Sequence, residues 1–228
     1  LSYKYLLFDL DHTLLDFEAA EEIALTQLLE EAGVEDVQAY KDYYIPMNQG
    51  LWADLTQKKI SKSELINTRF ARLFAHFGQV VDGSYFAERY QHFLSQQGQT
   101  FTGAKVLLDN LKARGYRLFA ATNGVTFIQK GRLLASEIGS DFEKVFISDE
   151  MGAQKPDKKF YDLIGEAVPG FEKEDALMIG DSLLADIQGG NNAGIDTVWF
   201  NPHHAENTSQ ARPSYVVADY DELMALLP

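Results

Sequence analysis

The sequence predicts an α/β protein, a doubly wound parallel sheet of Rossmann-like type carrying an inserted all-helical segment. Three features predict it. Short apolar runs, each ending at a polar loop, recur along the chain. Stretches with helical spacing separate the later runs, and most of these end at a glycine. Between residues 16 and 100 the rhythm stops, and only helical patterns remain.

The first run, Tyr5-Leu6-Leu7-Phe8, leads into Asp9. It lacks the cleavage region of a leader and reads as a buried strand. Leu118-Phe119-Ala120-Ala121 precedes Thr122, and Val145-Phe146-Ile147 precedes Ser148. Leu177-Met178-Ile179-Gly180 precedes Asp181, and Thr197-Val198-Trp199-Phe200 precedes Asn201. Runs this short and continuous, rich in branched and aromatic side chains, suit strands covered on both faces.

Within the insert, residues 17–32 place Ala20, Ile23, Ala24, Gln27 and Leu28 on one helical face and stop at Gly33. Residues 65–77 and 85–94 also read as helices. The expected division is therefore 16–100 for the helical domain and 1–15 with 101–228 for the sheet domain. In the latter, helices are expected at 106–114, 129–138, 158–168 and 184–193. Gly115, Gly139 and Gly194 serve as left-handed stops, and Asp157 as an N-cap. The alternation βαβαβαβ puts ligands at the carboxyl ends of the strands.

Composition excludes several classes of function. The formal charge is −14, from 34 acidic and 20 basic residues, a field that repels nucleic-acid polymers and anionic membranes. No cysteine is present, so disulfides, thiolate zinc sites and cysteine nucleophiles are excluded. No apolar run approaches the roughly 20 residues of a membrane span. A cytoplasmic enzyme acting on a small molecule is the expectation.

The polar residues at the strand ends form an ordered set: Asp9-Leu10-Asp11-His12-Thr13, Thr122-Asn123-Gly124, Lys155-Pro156, and Gly180-Asp181 through Asp186. A doubly wound sheet brings these loops to one crevice. Several carboxylates within about 4–6 Å of one another need compensation, which Lys155 and a divalent cation would supply. Oxygen-only ligands favour a hard ion, and Mg2+ fits a few carboxylates with phosphate oxygens. Asp9 can attack phosphorus and form an acyl phosphate. Asp11, two residues on, is close enough to protonate the leaving oxygen and then deprotonate water. Thr122 and the main-chain N–H groups after it, including that of Asn123, can hold phosphoryl oxygens, and Lys155 can neutralise them. Asp181 and Asp186 would hold the metal, directly or through its waters.

In this order, the four motifs resemble those of the haloacid dehalogenase superfamily over almost the whole chain. The insert after the first motif resembles that superfamily's helical cap, which selects substrate. More narrowly, Thr122-Asn123-Gly124-Val125-Thr126, Gln154-Lys155-Pro156-Asp157, the stretch from Gly180 to Gly190 and Trp199-Phe200-Asn201-Pro202 resemble the pyrimidine 5′-nucleotidase branch. The resemblance implies Mg2+-dependent hydrolysis of nucleoside monophosphates through an aspartyl phosphate. It also implies a main-chain carbonyl ligand from Asp11 beside the carboxylates of Asp9, Asp181 and Asp186.

The same architecture allows sugar-phosphate or phosphoglycolate hydrolysis, or a phosphomutase. A dehalogenase is disfavoured, because attack on carbon needs no acid at the position of Asp11. A purely binding role would give no reason for carboxylates that repel one another. In the insert, Trp52, Tyr44, Asn48, Phe17 and Arg69 are candidates for base or sugar contact, against the commoner reading of aromatics at helical spacing as core. His203-His204 reads as a surface pair rather than a metal site, His12 as a loop residue, and Gly180 as a backbone requirement.

Overall fold

The computed structural model describes residues 3–228. Among them six strands form one sheet: β1 (Tyr5–Phe8), β2 (Arg117–Thr122), β3 (Lys144–Ile147), β4 (Ala176–Gly180), β5 (Asp196–Phe200) and β6 (Tyr215–Val217). Their order is β3-β2-β1-β4-β5-β6, and every neighbouring pair is parallel. The order reverses between β1 and β4, the switch at which open α/β sheets place their ligands. Phe8 is level with Ala120 on one side and Ile179 on the other. Asp9 therefore leaves the sheet beside the ends of β2 and β4.

The helices are α1 (Phe17–Glu31), α2 (Val37–Thr56), α3 (Lys62–His76), α4 (Gly83–Ser95), α5 (Ala104–Ala113), α6 (Thr126–Ala135), α7 (Ser148–Met151), α8 (Lys158–Ala167), α9 (Gln188–Ala193) and α10 (Tyr220–Leu226). None is long and apolar enough to cross a membrane. Alternate residues of the central strands feed two cores, as the two-residue strand period requires. Leu6, Phe8, Leu118, Ala120, Leu177 and Ile179 pack with Leu107, Leu108 and Leu111 of α5 and Leu223 of α10. Tyr5, Leu7, Phe119, Ala121 and Met178 pack on the other face with Phe160, Tyr161 and Ile164 of α8. Helices cover both faces, so the strands read as unbroken apolar runs.

The chain forms two compact units, one running to Phe17 and resuming at Gly98–Pro228, the other Glu18–Gln97. The second is built of helices. Asp36, Ser61 and Asp82 cap α2, α3 and α4 through side-chain acceptors, and Tyr44 stacks on Phe70 at 5.2 Å between ring centres.

Several elements differ from expectation. α2 was not anticipated, because Pro46 and Gly50 lie inside it and both residues disfavour helix interiors. Its buried residues Tyr40, Tyr44, Asn48, Leu51 and Leu55 nevertheless keep helical spacing. β6 has three residues, one of them the exposed Val216, too few for a pattern. Gly115 and Gly194 take the left-handed conformation (φ 90° and 73°) just past α5 and α9. Gly139 does not. The helix before it ends at Ala135, and Gly139 instead lies so close to the Leu133 carbonyl that a Cβ would strike it.

Candidate active site

Four loops at the carboxyl ends of the strands meet around one buried ammonium group. Lys155 is 2% exposed. Its Nζ donates to Asp9 Oδ1 at 2.9 Å, Asp186 Oδ1 at 2.7 Å and the Ala121 carbonyl at 2.7 Å. Its three donors therefore join the end of β1, the end of β2 and the loop after β4. Asn123 holds the loop that carries it: Asn123 Nδ2 donates to the Lys155 carbonyl at 2.8 Å, and the Lys155 N–H donates to Asn123 Oδ1 at 2.9 Å. The Asn123 side chain thus positions Lys155.

Asp186 is wholly buried, and both of its oxygens are engaged. Oδ1 takes Lys155, and Oδ2 accepts from the Ser182 N–H at 3.0 Å. A turn of π-helix, Leu183–Ile187, folds Asp186 back in this way. In it the Ile187 N–H reaches the Ser182 carbonyl at 3.1 Å. Such single turns are frequent at functional sites. Gly180 is required here for space rather than conformation, since a Cβ on it would overlap the Asp186 carboxylate. Asp181 is tied in from β5, where the Trp199 indole N–H donates to its carbonyl at 2.9 Å.

Carboxylate oxygens of Asp9, Asp181 and Asp186 lie within 4.8 Å of one another. Burial pushes Asp9 up to about 7; Lys155 opposes the rise and the Asp181 charge adds to it. Asp181 and Asp186 are likewise raised, first by burial and then by neighbouring carboxylates. Burial disfavours the Lys155 ammonium, but Asp186 and Asp9 outweigh it and hold Lys155 protonated. Three carboxylates against one ammonium leave an unbalanced negative charge that protonation alone relieves near neutrality. An all-oxygen set with this excess fits a hard divalent cation. Among the described residues, no other group of three or more histidines or carboxylates converges in this way. His203 and His204 are exposed and stand outside it.

The Asp11 carboxylate is not one of this trio; the metal role expected of Asp11 is that of its main-chain carbonyl. Its carboxylate pairs with Nη1 of Arg132, which is wholly buried, and accepts from Gln129 Nε2 at 3.0 Å. The same Nε2 donates to Thr122 Oγ1 at 2.9 Å, and that oxygen also accepts from the Gly124 N–H at 3.0 Å. Arg132 lies over the Phe17 ring at 5.5 Å. His12, in the same loop as Asp11, takes a left-handed backbone (φ 65°). Gln129 and Arg132 were not among the sequence candidates. Their signal is two polar residues on the buried face of α6, between Ile128 and Leu133.

Of the candidates in the insert, Tyr44 is core, stacked on Phe70, and Trp52 packs against Leu51, Leu55 and Leu65. Arg69 is buried, donates to Asn48 Oδ1 at 3.2 Å and faces the Tyr90 ring at 4.9 Å.

The family described as haloacid dehalogenase-like hydrolase matches residues 6–200. The pyrimidine 5′-nucleotidase PynA of Streptococcus pneumoniae is 64% identical over 99% of this chain and 95% of its own length. The pyrimidine 5′-nucleotidase YjjG of Escherichia coli is 28% identical over 100% of this chain and 99% of its own. A crystal structure of the putative HAD-hydrolase YfnB from Bacillus subtilis, described as bound to magnesium, superposes with a TM-score of 0.94. It is 39% identical and covers 100% of this chain and 99% of that one.

Proposed function

The chain belongs to the haloacid dehalogenase-like hydrolases, and on that premise we propose that it hydrolyses small phosphomonoesters, with pyrimidine nucleoside 5′-monophosphates as substrates. The observation that carries the reaction is the Lys155 ammonium bonded to both Asp9 and Asp186, with Asp181 in the same cluster. The nucleotide preference rests on the two relatives that bear that name.

One oxygen of Asp9 is held by Lys155, and the other is the nucleophile. It forms a bond to phosphorus as the ester oxygen leaves, and Asp11 gives that oxygen its proton. Asp11 then takes a proton from water, which attacks the phosphoryl group, releases phosphate and restores Asp9. Thr122, the main-chain N–H groups after it and Lys155 hold the phosphoryl oxygens through both displacements. Asp9, Asp181 and the Asp11 carbonyl would hold a Mg2+ ion, with Asp186 joining them directly or through the ion's waters; the bound ion would draw charge from the phosphoryl oxygens and keep the carboxylates ionised. The helical insert, 16–100, is assigned to substrate selection, and 1–15 with 101–228 to the chemistry.

Phosphate release from a panel of nucleoside monophosphates, sugar phosphates and phosphoglycolate tests this reading. Turnover of uridine and thymidine 5′-monophosphates is expected, lost on adding EDTA and lost in Asp9→Asn. Turnover of sugar phosphates or phosphoglycolate alone would remove the nucleotide assignment. Isomerised sugar phosphate in the phosphorus NMR spectrum, with little free phosphate, would make the chain a mutase.

A further inference from the structure

Asp11 is held from one side by a helix that none of the four strand-end motifs includes. We infer that Gln129 and Arg132 of α6 are positioning residues that fix the direction of the Asp11 carboxylate, and with it proton transfer to and from the reacting oxygens. The inference rests on the phosphomonoesterase reading.

The geometry is specific. Gln129 and Arg132 are three residues apart, so they share a helix face. Each takes a different oxygen of Asp11, Arg132 Oδ1 and Gln129 Oδ2. A carboxylate bonded at both oxygens cannot rotate without losing one bond. Gln129 is itself fixed, since its Oε1 accepts from Arg132 at 3.3 Å while its Nε2 also reaches Thr122. One amide therefore sets the spacing between the expected proton donor and the expected phosphoryl-binding hydroxyl.

The loop is shaped to admit that amide. A Cβ on Gly124 would come within 2.6 Å of Gln129 Cγ and Cδ, so glycine there leaves the room that Gln129 occupies. Arg132 is 0% exposed, whereas the Asp11 side chain keeps 26% of its surface accessible. A guanidinium is thus buried in full to hold a carboxylate that stays open to an incoming ligand. An arrangement built only for stability would have no need to leave the acidic partner accessible. Displacing a reacting group by about 1 Å costs roughly 100-fold in rate, so loss of either tether should be visible in turnover.

The test separates positioning from folding by the leaving group. Protonation matters for an alkoxide such as that of uridine 5′-monophosphate and little for p-nitrophenolate. Arg132→Met and Gln129→Met should lower kcat/KM, which does not contain the water step common to both substrates, by roughly 10- to 100-fold on the nucleotide and by less than about threefold on p-nitrophenyl phosphate. Arg132→Lys should recover part of the loss. In an Asp11→Asn background, Arg132→Met should add nothing further, because it acts through that carboxylate. Equal losses in kcat/KM on both substrates, or an Arg132→Met loss that simply adds to that of Asp11→Asn, would overturn the inference. Should Arg132→Met not fold, Gln129→Met carries the same comparison. If Asp11→Asn itself keeps full turnover of the nucleotide, the acid–base reading falls first and takes the inference with it.

Discussion

Each unit of the molecule buries cations, and two of them, Lys155 and Arg69, are stabilised in different ways. In the sheet unit, Lys155 is surrounded by ionisable oxygens: Asp9 and Asp186 accept from it directly, and Asp181 completes the group. In the helical unit, Arg69 has a neutral amide at 3.2 Å and the faces of Tyr90 and Phe70 at 4.9 and 5.3 Å. Ring quadrupoles and one hydrogen bond partly stabilise a cation inside a helical core without adding charge. Carboxylates overcompensate Lys155 and leave negative charge for another cation. The arrangement around Arg69 is packing, and that around Lys155 stores an electrostatic imbalance that chemistry can use.

The comparison breaks most readily at Lys155. Lys155→Met should reduce phosphatase turnover by at least about 1,000-fold, since it removes both the neutralising charge and the bond that aims Asp9. Steady-state kinetics on the best nucleotide would read it, and a loss below about tenfold would show that the ammonium is not part of the reaction.

Metal removal sharpens the same contrast. Burial pushes Asp9 up to about 7, and Asp181 and Asp186 are also raised above the ordinary carboxylate value near 4. A raised folded-state value means that the folded chain binds protons the unfolded chain has released. The contribution to stability is therefore full below about pH 4 and is lost as pH rises through about 7. Mg2+ should consequently raise the melting temperature more at pH 8 than at pH 5. An increment that is the same at both values would contradict the carboxylate assignment.

A smaller effect is expected at Gly180. Gly180→Ala places a methyl group against the Asp186 carboxylate and should cost about 1–3 kcal/mol in denaturant unfolding, with turnover falling as well. The smallest effect belongs to the helical unit. The Tyr44 hydroxyl is buried near that of Tyr90 and makes no hydrogen bond of good geometry, so Tyr44→Phe should change stability by no more than about 0.5 kcal/mol. A larger destabilisation would mean that the hydroxyl has a partner in solution and that the aromatic cluster is more polar than its rings suggest.

What could be read from the sequence divides along the same line. Strands β1 to β5 were legible because each is an apolar run covered on both faces, and runs of that kind end where a loop must carry polar groups. The candidate residues Asp9, Asp11, Thr122, Lys155, Asp181 and Asp186 were found because they follow those ends. Asn123 was legible as a neighbour of Thr122 but not as the clasp on Lys155, since that contact spans 32 residues. Gln129 and Arg132 escaped because a polar residue in a helix normally reads as its wet face. Only tertiary packing buries them. In α2, Pro46 and Gly50 concealed a helix whose buried face is otherwise regular. The turn that returns Asp186 to Ser182 has no sequence signature, because its extra residue is a matter of backbone hydrogen bonding.

The most direct measurement is a crystal structure of the protein with Mg2+ and beryllium trifluoride, a mimic of a phosphoryl group bonded to a carboxylate. The account predicts beryllium bonded to the Asp9 oxygen that Lys155 does not hold. It also predicts that the metal lies among Asp9, Asp181 and the Asp11 carbonyl. An unmodified Asp9 in the presence of both reagents, or a metal ion held away from these residues, would contradict it.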